Sequence, residues 1–444
     1  MEIMTLLKQY VKTKWLARRF SSREQLVKWQ EAQVRAMLSR ILPASPFYRK
    51  RLGTPEQWRQ MEPIDKKSMM SHFDELNTCG IKREAAFGIA LKAETTRDFT
   101  PQLNGVTVGL SSGTSGNRGL FLVGPQEQAK WAGVILAKAL PGQLWSTHRI
   151  AFFLRANSNL YTAVNRRRIQ FSFFDLQIPL DQHLDHLNQY QPTVLVAPAS
   201  MLRMLAAAQH QGKLRISPIK VISVAEVLDP LDQTYIAEVF GQIVHQIYQC
   251  TEGLLAVSCS HGTLHINEDL VVVEKEYLDE QKERFFPIIT DFSRTTQPII
   301  RYRLNDILTE KRTPCPCGSV FMALESIEGR ADDLFVFRHE NEVRLISVFP
   351  DFIRRAVITS SDAIEEYTVR QLSYEQVEVA LLMKDGKGPS MREQERVRQS
   401  LERVIADQQG QLPAIVFAPY ELNLGTKKLR RVERMFVPGE QAMD

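Results

Sequence analysis

Residues 106–123 read VTVGLSSGTSGNRGLFLV, a loop of hydroxyls and glycines between two short apolar runs. Gly113, Gly116 and Gly119 allow the backbone to reach positive φ and approach a ligand closely. Ser111, Ser112, Thr114 and Ser115 can donate hydroxyl protons to phosphate oxygens. In composition this is a phosphate cradle. It is not the Walker loop, which ends in Gly-Lys-Ser/Thr, because Gly119 is followed by Leu120. Nor is it the dinucleotide fingerprint, because the spacing is Gly-x-x-Gly-x-x-Gly and a strand-like LFLV follows. A plain hairpin turn is the competing reading.

A second set lies in the cysteines and histidines. Cys259, His261 and His265 fall close together, and Cys315 and Cys317 follow in TPCPCGS. Three thiolates and an imidazole suit tetrahedral zinc, with Cys259, His265, Cys315 and Cys317 as the chosen ligands, and such a site is structural because it leaves no open position. Cys-x-Cys is rarer than Cys-x-x-Cys, so reduced thiols remain the alternative. Cys250 reads as a small buried residue rather than a nucleophile. Five cysteines in 444 residues do not make a disulfide framework.

These groups need elements to position them. From Ser22 to Leu42 the spacing of Leu26, Val34, Met37, Leu38 and Ile41 predicts a helix with one buried face. From about Arg149, IAFFL, a helical stretch near Leu180–Tyr190, TVLVA, a helix over Ser200–His210, KVISVA, a helix after Pro230 and QIVHQIY alternate. That pattern predicts a parallel sheet with crossover helices, whose ligands gather at the carboxyl ends of the strands. After Gly253 the runs TLHI, LVVVE, RFFPIIT and PIIRYRL shorten and predict mixed or antiparallel pairing. The charged EGRADDLFVF suggests a boundary, giving a large domain over 1–330 and a compact strand-and-helix domain over 331–444.

Composition excludes several classes. The net charge of +5 is mild and the basic residues are interleaved with acidic ones, so nucleic-acid binding is not expected. Arg166, Arg167 and Arg168 form the densest basic cluster, read as a solvated bend or a contact for an anion. No window approaches the ~18 uninterrupted apolar residues of a membrane span. The opening MEIMTLLKQYVKTKWLARRF lacks an apolar core with a cleavage site, and the expected compartment is the cytoplasm.

Further stretches follow in order: SPFYRK, PIDKKSMMSHFDELNT, the hydroxyl loop, SVAEVL, QIYQCTEG, ITDFSRTTQPIIRYRLNDIL, CPCG and EGRADD. Together, over nearly the whole chain, these resemble the adenylate-forming superfamily of acyl-CoA ligases and adenylation domains, most closely its phenylacetate-CoA ligase-like branch. The resemblance implies an α/β fold: a large N-terminal domain with mixed and parallel sheets and a small, mobile α+β C-terminal lid. It implies that Ser112, Gly113, Thr114, Ser115 and Gly116 clamp the ATP β- and γ-phosphates, with Arg118 near the position of a missing family lysine. Ala225 and Glu226 would line adenine, Tyr248 would stack near it, Thr251 would bond the α-phosphate and Glu252 would hold Mg²⁺. Asp306 would take the ribose hydroxyls, and Arg330 would face ribose or phosphate.

The lid would hinge at Asp332. In NLGTKKLRRVERMF the resemblance makes Lys428 the catalytic lysine and leaves Lys427 where glycine is usual. Each residue also has a plain alternative: Asp306 as a turn or cap residue, Tyr248 as core, Arg330 as a partner of Asp332, and KKLRR as a basic solvated helix end. The implied reaction makes an acyl-AMP from a small carboxylic acid and ATP, then passes the acyl group to coenzyme A or a carrier-protein thiol. Alternatives are adenylyl transfer to a hydroxyl of a cofactor-like acceptor and a non-catalytic nucleotide-binding protein. RIQFSFFDLQIPL leans toward an aromatic acid, though Phe171, Phe173 and Phe174 read equally well as core.

Overall fold

The computed structural model describes residues 2–96, 98, 102–110, 119–142, 146–154, 168–176, 178–421 and 430–438. The chain divides into two compact units, Met1–Leu304 with Leu308–Ser326, and Asn305–Ile307 with Ile327–Asp444.

In the first unit, helices α1 (Glu2–Arg19) and α2 (Arg23–Ile41) open the chain. Ser22 caps α2 by accepting the Gln25 N–H, and the helix buries Leu26, Val34, Met37, Leu38 and Ile41, the residues whose spacing predicted it. Short helices α3 (Pro46–Arg51), α4 (Lys66–Ser71) and α5 (Phe73–Leu76) lead to α6 (Arg83–Thr96). Helix α6 covers a three-stranded antiparallel sheet of β1 (Gln102–Leu103), β2 (Val106–Leu110) and β3 (Leu120–Val123). Leu110 pairs with Leu120, so the hydroxyl loop leaves and returns at one end of the β2–β3 hairpin.

Helix α7 (Pro125–Ala139) then leads into a twelve-stranded sheet. Strands β4 (His148–Leu154), β5 (Ile169–Asp175), β6 (Val194–Ala197), β7 (Lys220–Val224) and β8 (Val244–Cys250) run parallel in the order β8-β7-β6-β4-β5. Helices α8 (Asp181–Tyr190), α9 (Ala199–His210) and α10 (Pro230–Phe240) make the predicted crossovers. The pairing turns antiparallel at β9 (Gly253–Ser258) and β10 (Leu264–Ile266). It continues through β15 (Ala323–Arg330), β14 (Asp306–Glu310), β12 (Arg284–Asp291) and β11 (Val271–Tyr277), with β13 (Ile299–Arg303) on β12.

The aromatic run weighed for an acid pocket is strand β5. Phe174 is buried and stacks on Phe153 at 4.8 Å on one face of the sheet. Phe171 meets Phe152 at 5.4 Å on the other face. Alternating side chains on a covered strand send the rings into both cores.

The second unit holds the pair β16 (Phe335–Arg338) and β17 (Leu345–Val348), helices α11 (Pro350–Ser360) and α12 (Met391–Asp407), and a four-stranded sheet. That sheet orders β20 (Ala414–Pro419), β19 (Gln376–Met383), β18 (Ile364–Ser373) and β21 (Val432–Arg434). No helix among the described residues is long and apolar enough to cross a membrane.

Candidate functional site

At the carboxyl end of β8 the chain turns through Thr251 and Glu252 into β9. Glu252 is 8% exposed, and both of its oxygens are occupied. The Thr251 hydroxyl donates to Oε2 at 2.8 Å and the Tyr302 hydroxyl donates to Oε1 at 3.0 Å. Burial, then the adjacent Glu252 carboxylate, holds the Tyr302 phenol far above its ordinary value, so it stays a proton donor.

Tyr302 reaches Glu252 because β13 is bulged. The β12–β13 register shifts between Ile289 and Asp291, and Arg301 takes φ 45°. Its Nε donates to Glu274 Oε2 at 3.1 Å and its Nη1 to the Arg59 and Met61 carbonyls, which hold the strained residue outward. Ile64 pairs with the other edge of β13 through bonds of 2.8 Å to the Arg301 carbonyl and from the Arg303 N–H.

A second layer fixes the turn. Arg294 donates from Nη1 to the Thr251 carbonyl at 2.6 Å and from Nη2 to the Leu122 carbonyl at 3.0 Å. One guanidinium thus ties the Thr251–Glu252 turn to the strand returning from the hydroxyl loop. Glu127 accepts the Gly124 N–H at 2.9 Å, the Thr296 N–H at 2.8 Å and the Thr295 N–H. Burial alone would raise this carboxyl, but the Arg294 charge and the three amides hold it below its usual range.

Beneath the turn sits Asp291, 4% exposed, and a Cβ on Gly253 would lie 2.9 Å from its Oδ2. Any side chain at position 253 would displace the Asp291 carboxylate. Burial raises the Asp291 carboxyl to about 6, more than the Ser293 hydrogen bonds and the Arg294 charge lower it. The folded chain therefore keeps a proton that an unfolded Asp, at about 3.9, has released. This group's stabilising contribution is full below about pH 4 and is lost as pH rises toward 6, because the folded state binds more protons there. Asp291→Asn retains an acceptor for Ser293 and should flatten that slope by roughly 2 kcal/mol over the interval. Urea unfolding of both proteins between pH 4 and 6 measures it, and parallel curves would refute the assignment.

On the β7 side, Ala225 follows the strand with φ 65°, a left-handed turn unusual for alanine, which carries Ala225 and Glu226 off the carboxyl edge. Glu226 accepts the Ser200 N–H at 3.0 Å, at the start of α9. Tyr248 is buried in β8 opposite Ala256 of β9. The hydroxyl loop residues Ser112, Gly113, Thr114, Ser115 and Gly116, and Arg118, lie outside the described residues.

In the second unit, Arg330 Nε stands 3.7 Å from Asp306 Oδ1, while Asp332 accepts the Asn305 side-chain N–H at 2.8 Å. Arg330 therefore pairs with Asp306, the other implied ribose residue, and not with Asp332. Lys427 and Lys428 lie outside the described residues, but the next two arginines are anchored. Arg430 meets Asp333 at 3.2 Å, and Arg431 meets Glu366 at 2.7 Å, both members of that second pair nearly buried. These arginines are structural anchors, not a solvated basic tail.

Cys259, His265, Cys315 and Cys317 come together with their ligand atoms all within 4.8 Å of one another. Cys259 Sγ and Cys315 Sγ are 3.7 Å apart, and Cys317 Sγ and His265 Nε2 are 3.4 Å apart. A tetrahedron with ~2.3 Å Zn–S and ~2.0 Å Zn–N bonds has S···S and S···N edges of about 3.8 and 3.5 Å. The donor set fits zinc. His265 Nδ1 donates to the Phe321 carbonyl at 3.0 Å, which leaves the Nε2 lone pair facing the thiols. Although burial raises Cys315, hydrogen bonds led by the Thr263 hydroxyl bring it down to about 6. Burial raises Cys317, which also faces two other thiols, to about 11. Neighbouring thiolates repel unless a cation is placed between them. His261 stays outside the group, giving only its backbone N–H to Cys259 Sγ at 3.4 Å.

The fold has solved counterparts. A 2-hydroxyisobutyryl-CoA ligase, in the postadenylation state in complex with 2-HIB-AMP, is 14% identical. It covers 94% of this chain and 90% of its own, with a TM-score of 0.67. GH3.15 acyl acid amido synthetase is 13% identical over 90% of this chain and 87% of its own, with a TM-score of 0.58. The chain has the adenylate-forming fold. No family model matches the sequence. Protein CapK of Staphylococcus aureus is 23% identical over 219 residues, covering 44% of this chain and 48% of CapK. The chain thus spans about half the length of the curated relative it matches.

Within the adenylate-forming fold, sequence reading missed Tyr302, Arg294 and Glu127. Their hydroxyl, guanidinium and carboxylate act through contacts made across 50, 43 and 168 positions of chain. The available signal was a tyrosine in an apolar strand, since a buried phenol needs a partner.

Proposed function

We propose that the chain is an ATP-dependent ligase that adenylates a small carboxylic acid and passes the acyl group to a thiol such as coenzyme A. The carboxylate oxygen attacks the α-phosphorus of ATP, pyrophosphate leaves and acyl-AMP forms. A thiol then attacks the acyl carbonyl, forming the thioester and releasing AMP and a proton. The observation that carries this reading is Glu252, a carboxylate at the carboxyl edge of the parallel strands, held by Thr251 and Tyr302 in the adenylate-forming fold.

In this reading Glu252 holds Mg²⁺, which would offset the charge of the polyphosphate. Thr251 turns its hydroxyl proton from Glu252 to the α-phosphate, and the hydroxyl loop at the end of the β2–β3 hairpin clamps the outer phosphates. Ala225, Glu226 and Tyr248 receive adenine, and Asp306 and Arg330 receive ribose. Residues 331–444 form the lid, hinged at Asp332, with Lys428 catalytic in the first half-reaction. The chain falls in the phenylacetate-CoA ligase-like branch, and the Cys259, His265, Cys315 and Cys317 cluster holds a structural zinc.

ATP–pyrophosphate exchange against a panel of aryl and aliphatic acids tests the reading. Acid-dependent exchange, lowered at least about a hundredfold by Lys428→Ala, is expected. Exchange with no acid despite ATP binding would overturn carboxylate adenylation, and a stable phosphodiester product would move the acceptor to a hydroxyl.

A further inference from the structure

Helix α1 is apolar on two faces, and only one is covered. Leu6, Thr13 and Leu16 are buried, with Leu6 and Tyr10 packed against α7. The contact is so close that a Cβ on Gly133 of α7 would lie 2.5 Å from the Leu6 carbonyl oxygen. The opposite face carries Ile3, Met4, Leu7, Val11 and Trp15, with Val11 64% and Trp15 54% exposed. At about 100° per residue these five fall within an arc of roughly 120°.

Charge on this helix is nearly of one sign. Lys8, Lys12, Lys14, Arg18 and Arg19 are all exposed, and Glu2 is its lone acid. The helical rotation places Lys8, Lys12 and Arg19 along one border of the apolar arc, and Lys14 and Arg18 within its other half. Arg19 lies over the Trp15 ring at 4.5 Å. Partial burial of its stem, then the Lys130 ammonium of α7, lowers Lys12 against the opposing pull of the Asp269 carboxylate, so Lys130 adds positive charge and Asp269 negative charge beside this border of the stripe.

We propose that the exposed face of α1 docks on an anionic phospholipid surface. A stripe of Ile, Met, Leu, Val and Trp bordered by lysine and arginine matches a helix lying in the headgroup plane, apolar side down. Lysines at the edge and inside the stripe fit phosphate headgroups, whereas the core of a protein interface is depleted in them. This proposal stands on α1 alone and is independent of the catalytic reading.

Flotation of the full chain with vesicles tests it. Binding to phosphatidylcholine vesicles containing one third phosphatidylglycerol is expected, with little on phosphatidylcholine alone and release at high salt. Val11→Glu with Trp15→Glu should lower the partition at least about tenfold. Lys8→Gln with Arg18→Gln should lower it by roughly 10- to 30-fold, since each cation near the surface counts for about fivefold. All four positions are exposed, and circular dichroism verifies that the variants fold. Failure to float, equal binding to neutral vesicles or indifference to both double variants would overturn the proposal. So would a dimer in light scattering that Val11→Glu with Trp15→Glu dissolves, which would assign the face to a second copy.

Discussion

Replacing Glu252 by glutamine should lower acid-dependent ATP–pyrophosphate exchange by about a hundred- to a thousandfold while leaving the fold intact. Glutamine keeps the volume, and its amide oxygen can still accept one of the two hydroxyl protons that reach Glu252, from Thr251 and Tyr302. What it lacks is the charge that would hold a divalent cation beside the polyphosphate. Tyr302→Phe separates charge from placement, because the carboxylate stays and only one donor to it is removed. Its exchange rate should fall about tenfold, with the loss in kcat rather than in KM for ATP. If Glu252→Gln exchanged at the parent rate, the carboxylate would be a structural partner of Tyr302 and the assignment of the site would fail.

The second large effect concerns the thiol cluster. Metal analysis of the purified chain should find one zinc per molecule, and Cys315→Ser with Cys317→Ser should abolish it. The melting temperature should fall by roughly 10 °C, because the cluster joins the β9–β10 turn to a loop 56 residues further along the chain, and metal affinity is folding energy. A chelator strong enough to strip zinc should reproduce the shift in the parent and leave the double variant unchanged. A metal-free parent with the same melting temperature as the variant would leave the four residues as reduced thiols and an imidazole.

How far the sequence foretold the molecule depended on the range of the interaction. Helix α2 was legible to within a residue at each end, because its cap and buried face repeat locally in Ser22, Leu26, Val34, Leu38 and Ile41. The alternation of β4 to β8 with α8, α9 and α10 was legible for the same reason. The Cys259, His265, Cys315 and Cys317 cluster could be named because Cys and His have few roles at close spacing. The Tyr302 hydrogen bond was not legible, because it depends on a bulge at Arg301 that is stabilised by carbonyls of residues 59 and 61. The aromatic run of β5 was open to two readings for a related reason: strand periodicity marks its rings as two-sided, and only the covering layers put Phe174 in one core and Phe171 against the other. Helix α1 drew no helical prediction, although its apolar residues recur at helical spacing.

Because Leu308–Ser326 belongs with the large unit, the place where the chain is cut matters more than the linear map suggests. A truncation after Leu304 discards Cys315 and Cys317 with β14 and β15, leaving Cys259 and His265 as half of the cluster and exposing the β10 edge that pairs with β15. A truncation after Ser326 keeps all four residues of the cluster and the Leu264–Leu324 pairing. An expression fragment for crystallisation or isotope labelling of the large unit should therefore end beyond Ser326, although the chain first leaves that unit 22 residues earlier.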